Sequence, residues 1–332
     1  MYQKLLEKPD QIIFNLFQYL SSKKSISLDE TAKNLKLTPK SLQRYIRLWQ
    51  QNGSSFTSGI SFVVKKQKIT LNGKAKNKRL FLNFLLRRSQ CFQLLVQVTA
   101  DPYCKLKNLS TSQYLSTTTI QRYFKKMKTF LTEYQLFLSF TTNPALKGNE
   151  LQIRYFSFII SLLHEPPIIW SSQILYERYM KIQRNRINSG FSVTESQLAP
   201  INRYYAIPFQ INDQALAFLW SQLLGVENLW IDPSLRKILE FALVDHAELE
   251  PQSLIKLMQK FHQLHSICAV FEGRLFPFSD ISNPSDKTQK IVQSFIHSIP
   301  SYQKLLKQHP ELPFAYEKLL QNESNKSIIA EK

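Results

Sequence analysis

The chain is 332 residues long, 43% hydrophobic and 20% charged: enough apolar material for two or three packed domains, too little charge for a disordered polyelectrolyte. It has only seven glycines, none spaced as G-x-G-x-x-G, and Lys68 stands where a P-loop ending in Gly73-Lys74 needs glycine, which excludes a dinucleotide fold and a Walker-type nucleotidase. The net charge of +19 lies in the first half. Residues 1–160 hold 26 Lys+Arg against 7 Asp+Glu, whereas 161–332 hold 17 of each, the pattern of a polyanion-binding module joined to a neutral one.

At the N-terminus, Lys4, Glu7, Lys8 and Asp10 interrupt any apolar leader. The longest apolar run, 151–163, is broken by Arg154, so no membrane partner is expected. Cys91, Cys104 and Cys268 are too scattered for a disulfide framework or a zinc site, and the expectation is a cytoplasmic protein with reduced thiols.

The first predicted helix pair is 28–35, entered through Ser27 and kept slim by Ala32, and a longer helix opening at Thr38-Pro39. In the latter, Leu42, Tyr45, Ile46 and Trp49 recur at helical spacing, while Lys40, Ser41, Gln43, Arg44 and Arg47 form the opposite stripe. A hairpin follows: strand 60–64, a turn at 65–67, strand 68–71. Lys74, Lys76, Lys78, Arg79, Arg87 and Arg88 fall on a connecting helix with a solvated face.

The same text then returns. At an offset of 78, residues 37–49 align with 115–127, sharing the Leu and the Gln-Arg-Tyr triplet at 43–45 and 121–123. At an offset of 75, Leu71-x-Gly73 with Arg79-x-Phe81 aligns with Leu146-x-Gly148 with Arg154-x-Phe156. The second copy has a weaker first helix at 106–114, a Ser116 cap, and an inward stripe of Ile120, Tyr123, Phe124 and Met127. Its outward stripe is Thr118, Thr119, Gln121, Arg122, Lys125 and Lys126, and its hairpin runs 136–140 and 145–147. The matched Arg79 and Arg154 suit a structural task, pairing with an acid or a helix terminus.

Helix, tight turn, basic amphipathic helix and hairpin make a winged helix-turn-helix, here twice over. The fold class expected is mainly α: two tandem winged helix-turn-helix domains (1–74 and 75–164) followed by an all-helical domain (165–332). Duplex DNA is the expected partner. Gln43, Arg44, Gln121 and Arg122 suit base edges; Lys65, Lys66 and Lys68 on the wing suit phosphate; Thr117 and Thr118 can cap and donate. The Tyr and Phe of this half are spaced for core packing rather than for base stacking.

After Pro166-Pro167 the pattern is helical throughout: 171–188, 213–224, 233–246, 251–271, 287–299, and 302–321 interrupted by Pro310 and Pro313. His262 and His265, three apart, share a helix face but lack a third ligand, and all six histidines are expected at the surface or half buried. No nucleophile elbow and no paired catalytic carboxylates appear, so neither an enzyme nor a cofactor is expected.

Leu115-Ser116-x-x-Thr119-Ile120-x-Arg122, ending in the string from Leu146 to Phe156 (L-x-G-x-E-x-x-I-R-x-F), resembles the second helix-turn-helix of Mga/AtxA-type transcriptional regulators of Gram-positive bacteria, a family of virulence regulators. The resemblance implies DNA-binding transcriptional control, usually activation. It also implies a helical region similar to phosphotransferase-regulated domains (PRDs), which dimerises and is phosphorylated on histidine by a phosphotransferase-system phosphocarrier. His246, His262 and His265 are the candidates. Within 332 residues, the family's EIIB-like domain is not expected. Two readings stay open beside this one, a plasmid replication initiator with paired winged helices and a PRD-linked RNA-binding antiterminator.

Overall fold

The computed structural model describes residues 2–21, 25–52, 60–72, 78–141, 145–164, 172–194, 196–197, 251–271, 284–298, 302–317 and 319–321. They are mainly helical. Lys74, Lys76, His246 and the predicted helices 213–224 and 233–246 lie outside the described residues. The chain divides into two compact units, Met1–Val98 with Lys105–Phe130 and Ile160–Pro167, and Thr99–Cys104 with Leu131–Ile159 and Ile168–Lys332.

In the first unit, a 3₁₀ turn (Tyr2–Leu5) leads into α1 (Lys8–Ser21), whose Ile13, Phe14, Leu16, Phe17 and Leu20 are buried. Next come β1 (Ser25–Ser27), α2 (Leu28–Asn34), α3 (Pro39–Asn52) and the hairpin β2 (Ser61–Lys65) and β3 (Lys68–Asn72). The sheet order is β1-β3-β2, all antiparallel, with Lys65 opposite Lys68 and Val64 opposite Ile69. Its two-residue turn, Lys66-Gln67, has both φ angles positive, at 46° and 59°, a conformation normally reserved for Asn-Gly, so the turn residues alone could not have marked it. The Gln67 carbonyl accepts from the Leu28 amide at 2.9 Å, tying the hairpin to the start of α2.

α4 (Lys78–Arg88) and α5 (Gln90–Ala100) complete the core. The Phe81 ring lies 4.5 Å from Phe17, 5.4 Å edge-on from Trp49 and 6.2 Å from Phe14. At the α4 C-terminus the expected solvated face is met by Arg88 and only in part by Arg87. Arg87 is half buried, and the exposed Arg88 lies over Trp49 at 5.7 Å and Phe84 at 5.5 Å. α6 (Leu106–Gln113) and α7 (Thr117–Leu131) follow.

In the second unit, β4 (Phe137–Leu138) pairs with β5 (Leu146–Lys147), much shorter than the hairpin expected at 136–140 and 145–147. The reason lies at its start: Gln135 is left-handed (φ 53°) and Leu136 still donates to the Leu131 carbonyl, so the chain is closing a helix there, not extending. Gly148 (φ 149°) then passes so close that a Cβ would fall 2.6 Å from Leu136 Cδ2 and 3.2 Å from the Gln135 oxygen. Asn149 caps α8 (Glu150–His164), accepting from the Leu151 amide at 2.9 Å.

Glu150, in the first turn of α8, binds two buried guanidinium groups. Arg154 Nε donates to Oε1 at 2.9 Å, Arg186 of α9 (Ser172–Asn188) donates to Oε1 at 3.0 Å, and its NH2 group donates to Oε2. Arg154 also donates to the Phe191 carbonyl at 3.0 Å, and Arg186 lies 4.2 Å from the Phe191 ring centroid. The structural role expected of Arg154 is thus met, at 0% exposure.

The remaining helices are α10 (Pro251–Val270), α11 (Asp286–Ser298), α12 (Tyr302–Gln308) and the helical residues 312–317 and 319–321. Phe261, Phe295, Tyr302 and Tyr316 form the centre of their core. Two histidines expected at or near the surface are instead inside. His265 is 2% exposed with Nε2 on the Tyr316 hydroxyl, and the buried His309 places Nε2 3.1 Å from the Cys268 carbonyl. Polar partners in an aromatic core offset the cost of burying an imidazole, which composition alone does not reveal.

Glu317 closes the N-terminus of α11: its Oε2 accepts from the Ser285 amide at 2.9 Å, from Ser285 Oγ and from Thr288 Oγ1 at 2.6 Å. Burial alone would raise this carboxyl, but those donors, with Gln321, hold it down to about 2 from an ordinary 4.5. A depressed folded value means stability that is complete above pH 4.5 and lost as pH falls toward 2. Glu317→Gln should therefore flatten the acid limb of a urea-midpoint-versus-pH curve between those values. Separately, Glu150→Gln removes the carboxylate shared by two buried guanidinium groups and should destabilise the second unit by about 3–5 kcal/mol, read from urea unfolding of the full chain.

Candidate nucleic-acid interface

Two helices cannot be joined by a short turn unless the carbonyls ending the first and the amides opening the second all find partners. Both copies meet this demand with the same bonds. After α2, Lys36 is left-handed (φ 54°), its amide donates to the Lys33 carbonyl, and the Leu37 amide donates to the Ala32 carbonyl at 2.8 Å. After α6, Tyr114 is left-handed (φ 53°), its amide donates to Thr111, and the Leu115 amide donates to the Ser110 carbonyl at 3.1 Å. Every residue in the second set stands 78 positions after its counterpart. This is a Schellman closure, which usually places glycine where Lys36 and Tyr114 stand.

The second helix of each pair then opens alike. Thr38 Oγ1 accepts from the Ser41 amide at 3.2 Å, and Ser116 Oγ accepts from the Thr119 amide at 3.1 Å. Each cap hydroxyl lies 2.9 Å from the next one, Ser41 Oγ or Thr119 Oγ1. Capping fixes where α3 and α7 begin, and periodicity fixes their faces. Leu42, Ile46 and Trp49 are buried in α3, with Tyr45 half buried; Ile120, Tyr123, Phe124 and Met127 are all buried in α7.

The opposite face carries the predicted residues. Lys40, Arg44 and Arg47 are exposed, and Ser41 and Gln43 are half buried. In α7, Thr117, Thr118, Gln121, Arg122 and Lys125 are exposed and Thr119 is half buried. The repeated Arg-Tyr step has one geometry in both copies, Arg44 lying 5.4 Å over the Tyr45 ring and Arg122 5.6 Å over Tyr123. Such stacking holds the guanidinium stem while leaving its donors in solvent. On the first hairpin, Lys65, Lys66 and Lys68 are exposed together around the turn.

Lys126 is the exception. It is half buried, and its Nζ donates to the carbonyl of Leu6, which also accepts from Gln11 Nε2 at 2.9 Å. Tyr2 packs on Phe130 at 5.6 Å, and Ser89 Oγ donates to the Leu5 carbonyl at 2.6 Å, so the N-terminal segment is fastened to both α7 and α5. Glu7 completes this inner side. Burial raises the Tyr123 phenol, Glu7 raises it further by charge and hydrogen bond, and Arg122 works against both. Burial also lifts the Cys91 thiol to about 12, with Lys126 opposing.

Two functional candidates were missed from sequence, Lys36 and Tyr114. They stand one residue before the aligned block, and a left-handed Lys or Tyr has no compositional signature. Tyr114 is 96% exposed, against the inward packing expected of the aromatics, and Phe137 of β4 is 61% exposed. Among the histidine candidates, His265 is buried and the side chain of His262 lies outside the described residues. Among the described residues, no group of three or more His, Cys, Asp and Glu could hold a metal, and no helix is long and apolar enough to cross a membrane.

The neighbouring lysines of α7 should separate in a stability measurement. Lys126→Ala removes a charge-assisted bond to a part-buried carbonyl and should cost about 1.5–3 kcal/mol, whereas Lys125→Ala should stay within about 0.5 kcal/mol. Urea unfolding of the two variants checks this.

No curated protein matches the chain. Residues 81–159 match the family model described as the Mga helix-turn-helix domain. The matched stretch takes in α6, α7 and the Gly148–Glu150–Arg154 segment, and it supports an Mga-type family of DNA-binding regulators as the setting of this helix-turn-helix.

Proposed function

We propose that the protein is a duplex-DNA-binding transcriptional regulator, an activator of the Mga/AtxA type, built on two tandem winged helix-turn-helix domains at 1–74 and 75–164. The observation that carries this reading is the Gln-Arg pair set at the same position of α3 and α7, half buried or exposed in the first copy and exposed in the second. An α-helix fits the major groove, Gln pairs with adenine and Arg with guanine through two hydrogen bonds, and flanking cations meet phosphate. Lys40, Arg47, Lys65, Lys66, Lys68 and Lys125 are the phosphate contacts in this reading, with Ser41, Thr117, Thr118 and Thr119 as shorter-range donors. Lys126 serves the fold instead.

The region from 165 onward is proposed as a PRD-like dimerisation and regulatory domain under histidine phosphorylation by a phosphocarrier. His246, His262 and His265 are the candidate acceptors, and the buried His265 would need the α10 core to open before a phosphoryl donor could reach it.

Replacing Arg44 and Arg122 together with alanine tests the reading directly. At about 1–3 kcal/mol for each bidentate base contact, affinity for a selected duplex should fall roughly 30-fold or more. Unchanged binding by the folded double variant would overturn it. Genome-wide occupancy should fall at promoters; iterated origin repeats would make the protein a replication initiator.

A further inference from the structure

We infer that residues 2–7 are a strap that fixes the separation of the two recognition helices, so that the protein accepts two blocks of duplex only at one spacing. This rests on the function proposed above and assigns Tyr2, Ser89 and Lys126 as positioning residues.

The strap lies along one face of α7. Tyr2 meets Phe130 at 5.6 Å, the Leu6 carbonyl accepts from the Lys126 ammonium, and Glu7 reaches the Tyr123 phenol. Positions 123, 126 and 130 stand on successive turns of α7, so the strap runs antiparallel to the helix, up to the residue after Arg122. Arg122 itself lies over the Tyr123 ring at 5.6 Å. Past Glu7 the same segment becomes α1, whose Phe14 and Phe17 pack on Phe81, and Phe81 packs in turn on Trp49 of α3. By sequence, α7 follows α3 only after the hairpin, α4, α5 and α6. The strap joins the two helices a second way, and all of these residues belong to the first compact unit.

Backbone bonds make the strap a lock rather than a cover. A short 3₁₀ turn leaves its last carbonyls without partners of its own. The Leu5 carbonyl accepts at 2.6 Å from Ser89 Oγ, the cap of α5, and the Leu6 carbonyl accepts from Lys126 Nζ and from Gln11 Nε2 at 2.9 Å. Two adjacent carbonyls are thus held by α5, α7 and α1. Apolar packing is non-directional and tolerates sliding, whereas these bonds do not, so α7 cannot shift against α1 without stranding a part-buried acceptor.

A fixed spacing follows from the geometry of B-DNA. Each added base pair moves the second block by about 3.4 Å and turns it by about 35° around the axis. A body of fixed shape gains from its second helix only when both blocks are within reach at once; a loosely joined pair would follow the insertion.

The test uses the full chain and a duplex recovered from a randomised library at about 50 mM salt, footprinted to find two protected blocks. One, two or five base pairs are then inserted between the blocks, and affinity is read relative to the uninterrupted duplex. The unaltered chain should lose about tenfold at one or two insertions, and roughly 30-fold or more at five, where the second block has turned to the far side. Lys126→Met and the double variant Y2L/S89A each release the strap from one side. Both should bind the uninterrupted duplex more weakly, yet lose no more than about threefold at one or two insertions. K126R, which still offers a donor to the Leu6 carbonyl, should keep the full penalty. Losing a cation weakens every duplex alike, so the penalty reads spacing where affinity alone does not.

Circular dichroism reports folding, and where one variant does not fold the other decides. Unfolding of both would make the strap a folding element only and overturn the assignment. Insertions tolerated by the unaltered chain, or folded variants that keep its penalty, would overturn it as well. So would a single protected block or binding with no sequence enriched, each of which leaves the DNA-binding reading standing. No binding of any duplex at about 50 mM salt would remove the DNA-binding reading itself.

Discussion

Between Asn34 and Pro39, and again between Gln113 and Thr117, the chain must reverse without stranding a backbone polar group. It does so by forcing one residue left-handed, returning the next amide five residues back, and letting a hydroxyl take the first free amide of the following helix. Those bonds set where α3 and α7 begin. Because a helix advances 100° per residue, the starting point also decides which side chains face the core. Had either cap slipped by one residue, Gln43 or Gln121 would rotate toward the interior and an aromatic would swing out. The outward display of the Gln-Arg pairs is thus a consequence of turn chemistry more than of the amphipathic pattern, which only has to agree with it.

The string that carries the family resemblance has a different job. Leu146 is buried in the short β4–β5 ladder, Gly148 permits the backbone to pass Leu136, and Glu150 gathers Arg154 and Arg186. Phe156 packs 4.8 Å from Tyr134. Apart from the exposed Gly148, these residues are buried. A buried carboxylate between two guanidinium groups is costly to desolvate and adds little net stability, but removing one partner is severe, and such networks can fix a unique packing. A string of this kind is readable because each residue answers a steric or electrostatic demand that no substitute meets.

Much of this was legible beforehand. Caps at Ser27, Thr38 and Ser116, the helical stripes from Leu42 to Trp49 and from Ile120 to Met127, and the hairpin 61–72 all follow from local rules that tertiary packing here reinforces. α1 and α5 went unread, although in α1 Ile13, Leu16, Phe17 and Leu20 recur at helical spacing; in α5 polar residues are few and none is charged, so the contrast there is weak. The second hairpin starts later than expected because Gln135, a residue with no turn signature, adopts the left-handed conformation just before it, while the Ser139 amide still donates to the Ala145 carbonyl at its far end. His265 and His309 were misjudged because burial of a histidine depends on a hydroxyl or carbonyl brought from 41 or more residues away. Local sequence carries caps and stripes; it does not carry the partner of a buried polar group.

Net charge is subject to the same distinction. Counted from composition, every lysine and arginine of the first half belongs to one basic surface. In the fold, Lys126 is committed to the Leu6 carbonyl and Arg154 to Glu150. What remains outward is mixed in both copies: the first keeps lysines at its turn and on its hairpin beside Asp29 and Glu30, and the second keeps hydroxyls and an exposed tyrosine at the corresponding turn beside Lys107, Lys125 and Lys128. Charge attracts at a distance of about a Debye length and falls away with salt, whereas hydroxyls act only on contact. An outward face that mixes the two kinds cannot be weighed by net charge alone.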